Sequence, residues 1–155
     1  MVFLDSAFLI ALLHRRDQHH ESALAWKEIV ESAQTRLLTT EFCLLEVVDY
    51  VSRCGYRILA RNLVRELRAG AYVSIVPCSS ALLDRALELH ARRDDKTWSL
   101  TDCTSILVMQ DNGVTDVLTY DHDFAEAGMR VLPLTSPAPT QDAVSTGLTP
   151  VPARK

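Results

Sequence analysis

The sequence lacks the cysteine patterns of a disulfide framework or a zinc site. Its four cysteines, spread over 155 residues, include no Cys-x-x-Cys pair and have no histidine at a zinc-finger spacing. Disulfide frameworks are typical of shorter, cysteine-dense secreted domains. We therefore expect ordinary core or helix-face roles for all of them: Cys43, Cys54, Cys78 and Cys103.

The sequence also lacks a hydrophobic run long enough to cross a bilayer. The longest apolar stretch, residues 7–13, is far shorter than the roughly 20 residues that a transmembrane helix needs. The N-terminus carries no basic segment and reaches Asp5 almost at once, which does not fit a signal peptide. These features predict a cytoplasmic protein with no membrane contact.

An excess of positive charge is missing as well. The chain has 16 lysines and arginines against 20 aspartates and glutamates, for a net charge of −4. Proteins that bind nucleic acid usually carry a basic surface, so the composition argues weakly against such a partner. Clustered carboxylates nevertheless lower the net charge and can still bind a polyanion when metal cations lie between them. Whether the composition is compatible with a nucleic-acid partner therefore depends on where the acids lie.

Strand and helix patterns alternate along most of the chain, which is typical of an α/β domain. With 48% hydrophobic residues, the chain can bury one core of ordinary domain size. Short apolar runs separated by one or two amphipathic helices predict a mostly parallel central sheet in a three-layer α/β/α sandwich. The predicted strands are residues 2–4, 36–39, 72–76, 117–120 and 130–134.

The composition changes near the C-terminus. Residues 135–155 are rich in Ser, Thr and Pro and show no hydrophobic periodicity, so we expect a flexible tail after a domain of residues 1–134. Ligands of open parallel sheets bind beyond the carboxyl ends of the strands. The predicted strand ends are therefore the place to look for a site.

Four acidic residues are predicted to gather at that edge. Asp5 directly follows the first strand, and Asp121 follows the strand at 117–120. Asp102 lies in the first turn of a helix, and Glu46 lies at the border of the apolar stripe of another. Gathered carboxylates repel one another unless cations bind between them. Oxygen ligands without cysteine or paired histidine suit Mg²⁺ or Mn²⁺ rather than zinc.

Each of these acids also has an ordinary structural explanation when it is taken alone. Asp5 can cap the helix that follows it, and Asp102 can complete a capping box with Ser99. Asp121 can open a turn with Asp123. Glu46 can be a solvated helix residue, which is the usual situation of glutamate.

Several segments, in this order and spacing, resemble the PIN-domain ribonucleases, especially the VapC-like toxins of bacterial toxin–antitoxin pairs. The first is Phe-Leu-Asp-Ser-Ala at 3–7, and the second is Thr-Thr-Glu followed by an acid-bearing helix at 39–46. The third is Ser-Leu-Thr-Asp at 99–102, and the last is Thr-Tyr-Asp-His-Asp-Phe at 119–124. The likeness covers about residues 1–134 and implies a PIN-like fold.

The resemblance implies an Mg²⁺-dependent endoribonuclease, in which Mn²⁺ can substitute, that hydrolyses phosphodiester bonds of RNA. The catalytic and metal-binding acids that it implies are Asp5, Glu46, Asp102 and Asp121. Asp123 is an alternative for the last position, and Glu41 is a less favoured stand-in for Glu46. Hydroxyls expected to orient these carboxylates or metal-bound water belong to Ser6, Thr101 and Thr119.

The sequence also suggests which molecules the chain binds. The basic loop before Asp102 leads towards the acidic edge, so we expect Arg92, Arg93 and Lys96 to contact RNA phosphates. The family resemblance implies a homodimer and a small antitoxin protein that occupies the acidic site. The apolar surfaces of helices within 41–69 are available for dimerisation, although a monomer's own core would use the same residues.

Other functions of such a sheet fit less well. Receiver-like aspartyl-phosphate chemistry needs a lysine late in the sheet, and no predicted strand ends in one. Haloacid-dehalogenase-like phosphatases need a second aspartate two residues after the first, where this chain has Ala7. A non-catalytic PIN-like module that binds RNA or protein is the remaining alternative.

Overall fold

A computed structural model describes residues 1–135 of the chain, and it contains a five-stranded sheet in the order β3-β2-β1-β4-β5. Each pairing between neighbouring strands is parallel, which confirms the predicted α/β architecture. The strands are β1 (Val2–Leu4), β2 (Leu37–Thr40), β3 (Val73–Val76), β4 (Asp116–Leu118) and β5 (Arg130–Val131).

Helices connect successive strands and cover both faces of this sheet. They are α1 (Ser6–Leu13), α2 (His20–Ser32), α3 (Glu41–Arg53), α4 (Arg57–Ala69), α5 (Ser80–Arg92), α6 (Leu100–Asp111), α7 (Asp123–Glu126) and α8 (Leu132–Thr135). Within residues 1–135, none of these helices is long and apolar enough to cross a membrane.

Alternate residues of the strands build two separate cores, one on each face of the sheet. Phe3 and Val117 pack on one face with buried residues of α6 such as Ile106 and Met109. Leu4 and Leu118 pack on the other face with residues of α1, α2 and α3. Because successive strand side chains point to opposite faces, the short apolar strands hold three layers together.

Several sequence predictions are corrected at the level of single elements. The last strand ends at Val131 rather than at 134, because Pro133 has no backbone N–H for the ladder. The fourth strand ends at Leu118 rather than at Tyr120. The predicted tail covers residues 135–155. Its first residue, Thr135, ends α8, and residues 136–155 lie outside the described residues.

The cysteine prediction is half wrong. All four cysteines are free, but only Cys43 and Cys103 are buried. Cys54 is the exposed residue that ends α3, and Cys78 lies exposed in the loop between β3 and α5. The apolar stripe of a helix therefore predicts a buried thiol only where the residue lies inside the helix.

Candidate active site

Asp5 and Asp121 leave the sheet from neighbouring strands at the same edge. Leu4 pairs with Leu118 in the parallel register. The Asp5 N–H then donates a hydrogen bond of 3.1 Å to the Leu118 carbonyl, which extends the pairing by one residue. On the other side of β1, the buried Thr39 hydroxyl donates to the Leu4 carbonyl at 2.8 Å. The end of β1 is therefore held from both sides, and the Asp5 side chain is fixed with it.

Asp5 is both a helix cap and a buried site residue. Its Oδ2 accepts hydrogen bonds from the Ala7 N–H at 3.2 Å and from the Thr119 hydroxyl at 2.7 Å. Its Oδ1 is buried and has no hydrogen-bond partner among the described residues. Burial and, to a smaller extent, the nearby Asp102 carboxylate together raise the pKa of Asp5 to about 7, against the opposing hydrogen bond from Thr119. A buried carboxylate oxygen without a donor is costly, unless a cation completes its environment.

Asp102 closes the predicted capping box and also faces the other acids. Its backbone N–H donates to the Ser99 hydroxyl at 3.1 Å, and its Oδ2 accepts from the Ser99 N–H at 2.7 Å. Burial raises the pKa of Asp102, and the Asp121 and Glu46 carboxylates add to that rise against the hydrogen bonds from Ser99. The predicted capping box is therefore confirmed, and it engages only Oδ2 of this carboxylate.

The tightest cluster of acids includes Asp123. One carboxylate oxygen from each of Asp102, Asp121 and Asp123 lies within 4.8 Å of the others. The Asp123 N–H donates to Asp121 Oδ1 at 2.9 Å, so the predicted turn between them forms. Burial raises the pKa of Asp123, and the neighbouring Asp121 and Asp102 carboxylates raise it further. The structure thus brings both candidates for the last position to the site.

The arrangement of oxygens fits a divalent metal ion. Asp5, Asp102 and Asp121 each use one carboxylate oxygen to accept hydrogen bonds, and within residues 1–135 the other oxygen of each accepts none. The free oxygens belong to three chain segments that meet at one edge of the sheet. An all-carboxylate donor set of this kind suits a hard cation such as Mg²⁺ or Mn²⁺.

The two candidate glutamates of α3 have different surroundings. Glu46 is half-buried and close enough to Asp102 to raise the pKa of that carboxyl. Glu41 instead forms a 2.8 Å ion pair with Arg68 and accepts a 3.0 Å hydrogen bond from the Cys78 N–H. Glu46 therefore lies close to Asp102, whereas the Glu41 carboxylate is engaged elsewhere.

Of the three hydroxyls expected to orient the acids, only that of Thr119 does so. It donates to Asp5 Oδ2 and accepts a 3.0 Å hydrogen bond from the Asp121 N–H. In the part of the chain that the structure describes, the hydroxyls of Ser6 and Thr101 form no hydrogen bond to these acids. Thr101 lies beside a depression that adjoins Glu46.

Two of the three basic residues expected to contact RNA phosphates are engaged in ion pairs with acids of this chain. Arg93 forms a two-pronged ion pair with Asp95 and lies 4.6 Å from the centroid of the Trp98 ring. Lys96 pairs with Glu126 at 2.8 Å and lies near enough to Asp123 to lower the pKa of that carboxyl. Arg92 is exposed and forms no ion pair among the described residues.

Sequence analysis missed two threonines at the end of β2. Thr39 and Thr40 are fully buried, and the Thr40 hydroxyl caps α3 by accepting from the Cys43 N–H at 3.1 Å. Thr40 therefore fixes the start of the helix that carries Glu46. A threonine directly before a glutamate-initiated amphipathic run is the available signal for such a cap.

Comparisons with known proteins show the family to which this chain belongs. The sequence profile described as PIN domain matches residues 2–129. The chain is 30% identical over 129 residues to the 23S rRNA-specific endonuclease VapC20 of Mycobacterium tuberculosis, covering 83% of this chain and 95% of that protein.

Solved structures give the same likeness. The crystal structure of M. tuberculosis VapC20, described as a sarcin–ricin loop cleaving toxin, matches with a TM-score of 0.72 at 25% identity over 85% of this chain and 98% of that one. A toxin–antitoxin complex from Klebsiella pneumoniae matches in fold, with a TM-score of 0.58 at 19% identity over 86% of this chain and 98% of that one. FitAcB from Neisseria gonorrhoeae also has a TM-score of 0.58, at 18% identity over 88% of this chain and all of that one. The chain described here belongs to the PIN-domain family.

Proposed function

We propose that this protein is a divalent-metal-dependent endoribonuclease that hydrolyses phosphodiester bonds of RNA. The observation that carries the proposal is the acidic cluster. Oxygens of Asp102, Asp121 and Asp123 converge within 4.8 Å. Asp5 lies near enough to Asp102 for that carboxylate to raise its pKa, and its buried Oδ1 has no hydrogen-bond partner within residues 1–135. The resemblance of the chain to an endonuclease over most of its length supports the same activity.

Asp5, Glu46, Asp102 and Asp121 would hold Mg²⁺, with Asp123 as a further ligand or as the residue that shares the role of Asp121. The bound ion supplies Lewis acidity towards a phosphoryl oxygen and lowers the pKa of a bound water. The Thr119 hydroxyl and the Ala7 N–H occupy Asp5 Oδ2, which leaves the buried Oδ1 without a hydrogen-bond donor within residues 1–135. The capping box does the same for Asp102 by occupying its Oδ2. Glu46 and Asp121 complete the site or position the attacking water.

Ribosomal RNA is the substrate that we propose first. The relative with 30% identity is described as specific for 23S rRNA, and the matching crystal structure as cleaving the sarcin–ricin loop. Arg92, Arg93 and Lys96 would contact phosphates on the flank of the site nearest α6. The positive charge of Lys96 partly offsets the rise in the pKa of Asp123 that burial and the neighbouring acids cause.

A cytoplasmic toxin controlled by an antitoxin is the biological role that fits this activity. The similar VapC20 structure is described as a toxin. We propose that a small antitoxin protein binds over the acidic edge and that the chain forms a homodimer. Co-purification with the product of the neighbouring gene and a mass measurement in solution test these two points.

The activity is tested with purified protein, Mg²⁺ or Mn²⁺, and RNAs that include a sarcin–ricin loop hairpin, a transfer RNA and an unstructured RNA. Asp102→Asn is compared with Asp111→Asn, which changes an exposed aspartate at the far end of the same helix. We expect cleavage by the wild type and Asp111→Asn, and at least 100-fold slower cleavage by Asp102→Asn. Equal cleavage by all three proteins, or none by the wild type on any RNA, favours the non-catalytic binding module.

A further inference from the structure

A depression of about 420 Å³ adjoins the acidic site between α3 and the start of α6. One face of α3 lines most of it, including Phe42, Glu46, Tyr50 and Arg53, and Thr101 lines the opposite side. This volume lies within the range of roughly 300–1,000 Å³ that is typical of small-molecule sites. Because Glu46 belongs to the acidic site and Thr101 directly precedes Asp102, the depression is continuous with that site.

Tyr50 presents an aromatic ring in this depression. The residue is 43% exposed, although α3 packs on the core. The ring packs beside that of His14, with the centroids 6.1 Å apart and the planes tilted by 57°, and the His14 centroid lies 5.8 Å from that of Tyr56. A supported aromatic ring with an accessible surface is the feature on which unpaired RNA bases stack.

The polar groups beside Tyr50 are available for a ligand. Asp49 and Arg53 are exposed, and neither forms an ion pair or a side-chain hydrogen bond among residues 1–135. By contrast, Arg68, Arg85 and Arg130 are each paired with an acid. A carboxylate can accept from the exocyclic amine of a base, and a guanidinium can donate to base acceptors or stack on a base.

We infer that this depression binds an unpaired nucleobase of the RNA, from a nucleotide next to the phosphodiester that is cleaved. Tyr50 stacks on the base, while Asp49 and Arg53 hydrogen-bond to its edge. The inference rests on the proposed function, because it names a base-binding subsite of the same ribonuclease. Its consequence is that α3 contributes to the choice of cleavage position, in addition to carrying Glu46.

The variant that tests this subsite is Tyr50→Leu, which removes the ring but keeps an apolar side chain against His14. Tyr50→Phe keeps the ring, and Tyr72→Leu is a matched control because Tyr72 is a similarly exposed tyrosine, at 47%, before β3 at the opposite edge of the sheet. Two substrates are compared: an RNA hairpin that the wild type cleaves, and bis(p-nitrophenyl) phosphate, a phosphodiester without a nucleobase.

For Tyr50→Leu we expect kcat/KM on the hairpin to fall by about 5- to 150-fold, the range of base–aromatic stacking. Hydrolysis of bis(p-nitrophenyl) phosphate should stay within two-fold, and Tyr50→Phe and Tyr72→Leu should behave as the wild type. An unchanged rate on the hairpin overturns the inference, as does an equal loss on both substrates, which indicates a structural role. A change of oligomeric state in Tyr50→Leu also overturns it, because the face then belongs to an interface between copies.

A binding measurement separates this inference from the proposed function. The same hairpin is made with 2-aminopurine at each loop position in turn, and quenching of its fluorescence reports stacking. Quenching by the wild type that is lost in Tyr50→Leu but kept in Tyr72→Leu supports the subsite, even if no RNA is cleaved and the nuclease proposal fails. Cleavage without Tyr50-dependent quenching at any position retains the nuclease and removes the subsite.

Discussion

The Thr119 hydroxyl donates a 2.7 Å hydrogen bond to the buried Asp5 carboxylate and links the ends of β1 and β4. The same oxygen accepts from the Asp121 N–H at 3.0 Å. One buried side chain thus orients one acid of the site and fixes the backbone of another. Because Thr119 is fully buried, water cannot easily replace this link.

Loss of the Thr119 hydroxyl should therefore impair activity more than folding. Partners that orient metal ligands typically contribute 10- to 100-fold to metal affinity or activity. We expect Thr119→Val to lower the rate of RNA cleavage by about that factor and to weaken Mn²⁺ binding, while Thr119→Ser stays close to the wild type. Single-turnover kinetics and Mn²⁺ titration calorimetry measure the two effects. Equal activity of the Val and Ser variants would show that the hydroxyl has no orienting role.

Stability of the metal-free protein should depend on the charge of Asp5. Its pKa is raised from 3.8 to about 7 by burial and by Asp102, so between pH 4 and 7 the folded state binds more protons than the unfolded state. The free energy of unfolding should therefore fall as the pH rises through this window, by at most about 4 kcal/mol from this residue.

Asp5→Asn removes that titration, and thermal unfolding in EDTA measures the result. We expect the variant to match the wild type near pH 4 and to be more stable than the wild type at pH 8. Adding Mg²⁺ at pH 8 should raise the Tm of the wild type only, because binding to the folded state alone stabilises it. A variant that is less stable than the metal-free wild type at pH 8 would contradict this account of Asp5.

The basic residues before α6 should differ in their effect on RNA. Arg92 has no acidic partner among the described residues, whereas Arg93 is paired with Asp95. Arg92→Glu should weaken RNA binding and reduce the slope of log K against log salt by about one. Arg61→Glu, on the exposed face of α4, is the control for general charge. An unchanged salt slope in Arg92→Glu removes the phosphate contact at that position.

The two glutamates of α3 provide a matched comparison within one helix. Glu46→Gln should reduce RNA cleavage by 10-fold or more, because Glu46 lies beside Asp102. Glu41→Gln should leave cleavage nearly unchanged, since Glu41 is engaged by Arg68 and the Cys78 N–H. The measurement is the cleavage rate under saturating Mn²⁺. Equal losses in both variants would mean that α3 acts through its packing and not through the Glu46 carboxylate.

The positions that the sequence predicted best are those fixed by the strands. Asp5 and Asp121 follow buried parallel strands, and the common direction of β1 and β4 brings both to one edge. The capping box at Ser99 also follows from local spacing, because its two hydrogen bonds involve residues three apart.

Roles that depend on contacts between distant segments were harder to predict. The sequence predicts the same orienting role for the hydroxyls of Ser6, Thr101 and Thr119. Only the Thr119 hydroxyl forms a hydrogen bond to an acid, because Thr119 follows the strand next to that of Asp5. The spacing of Arg93 and Lys96 does not show that Asp95 and Glu126 pair with them. The exposure of Tyr50 likewise depends on the packing of α3 against α1 and α6, which periodicity alone does not specify.

The account depends on a divalent ion held by Asp5, Glu46, Asp102 and Asp121, with Asp123 as a further ligand. Anomalous diffraction from crystals soaked in Mn²⁺ locates such an ion directly. We predict a peak within about 2.5 Å of Asp5 Oδ1 and of free oxygens of the neighbouring aspartates, and no such peak in crystals of Asp102→Asn. A well-ordered wild-type crystal with no peak at this edge of the sheet, or with Mn²⁺ bound only elsewhere, would contradict the metal-dependent mechanism.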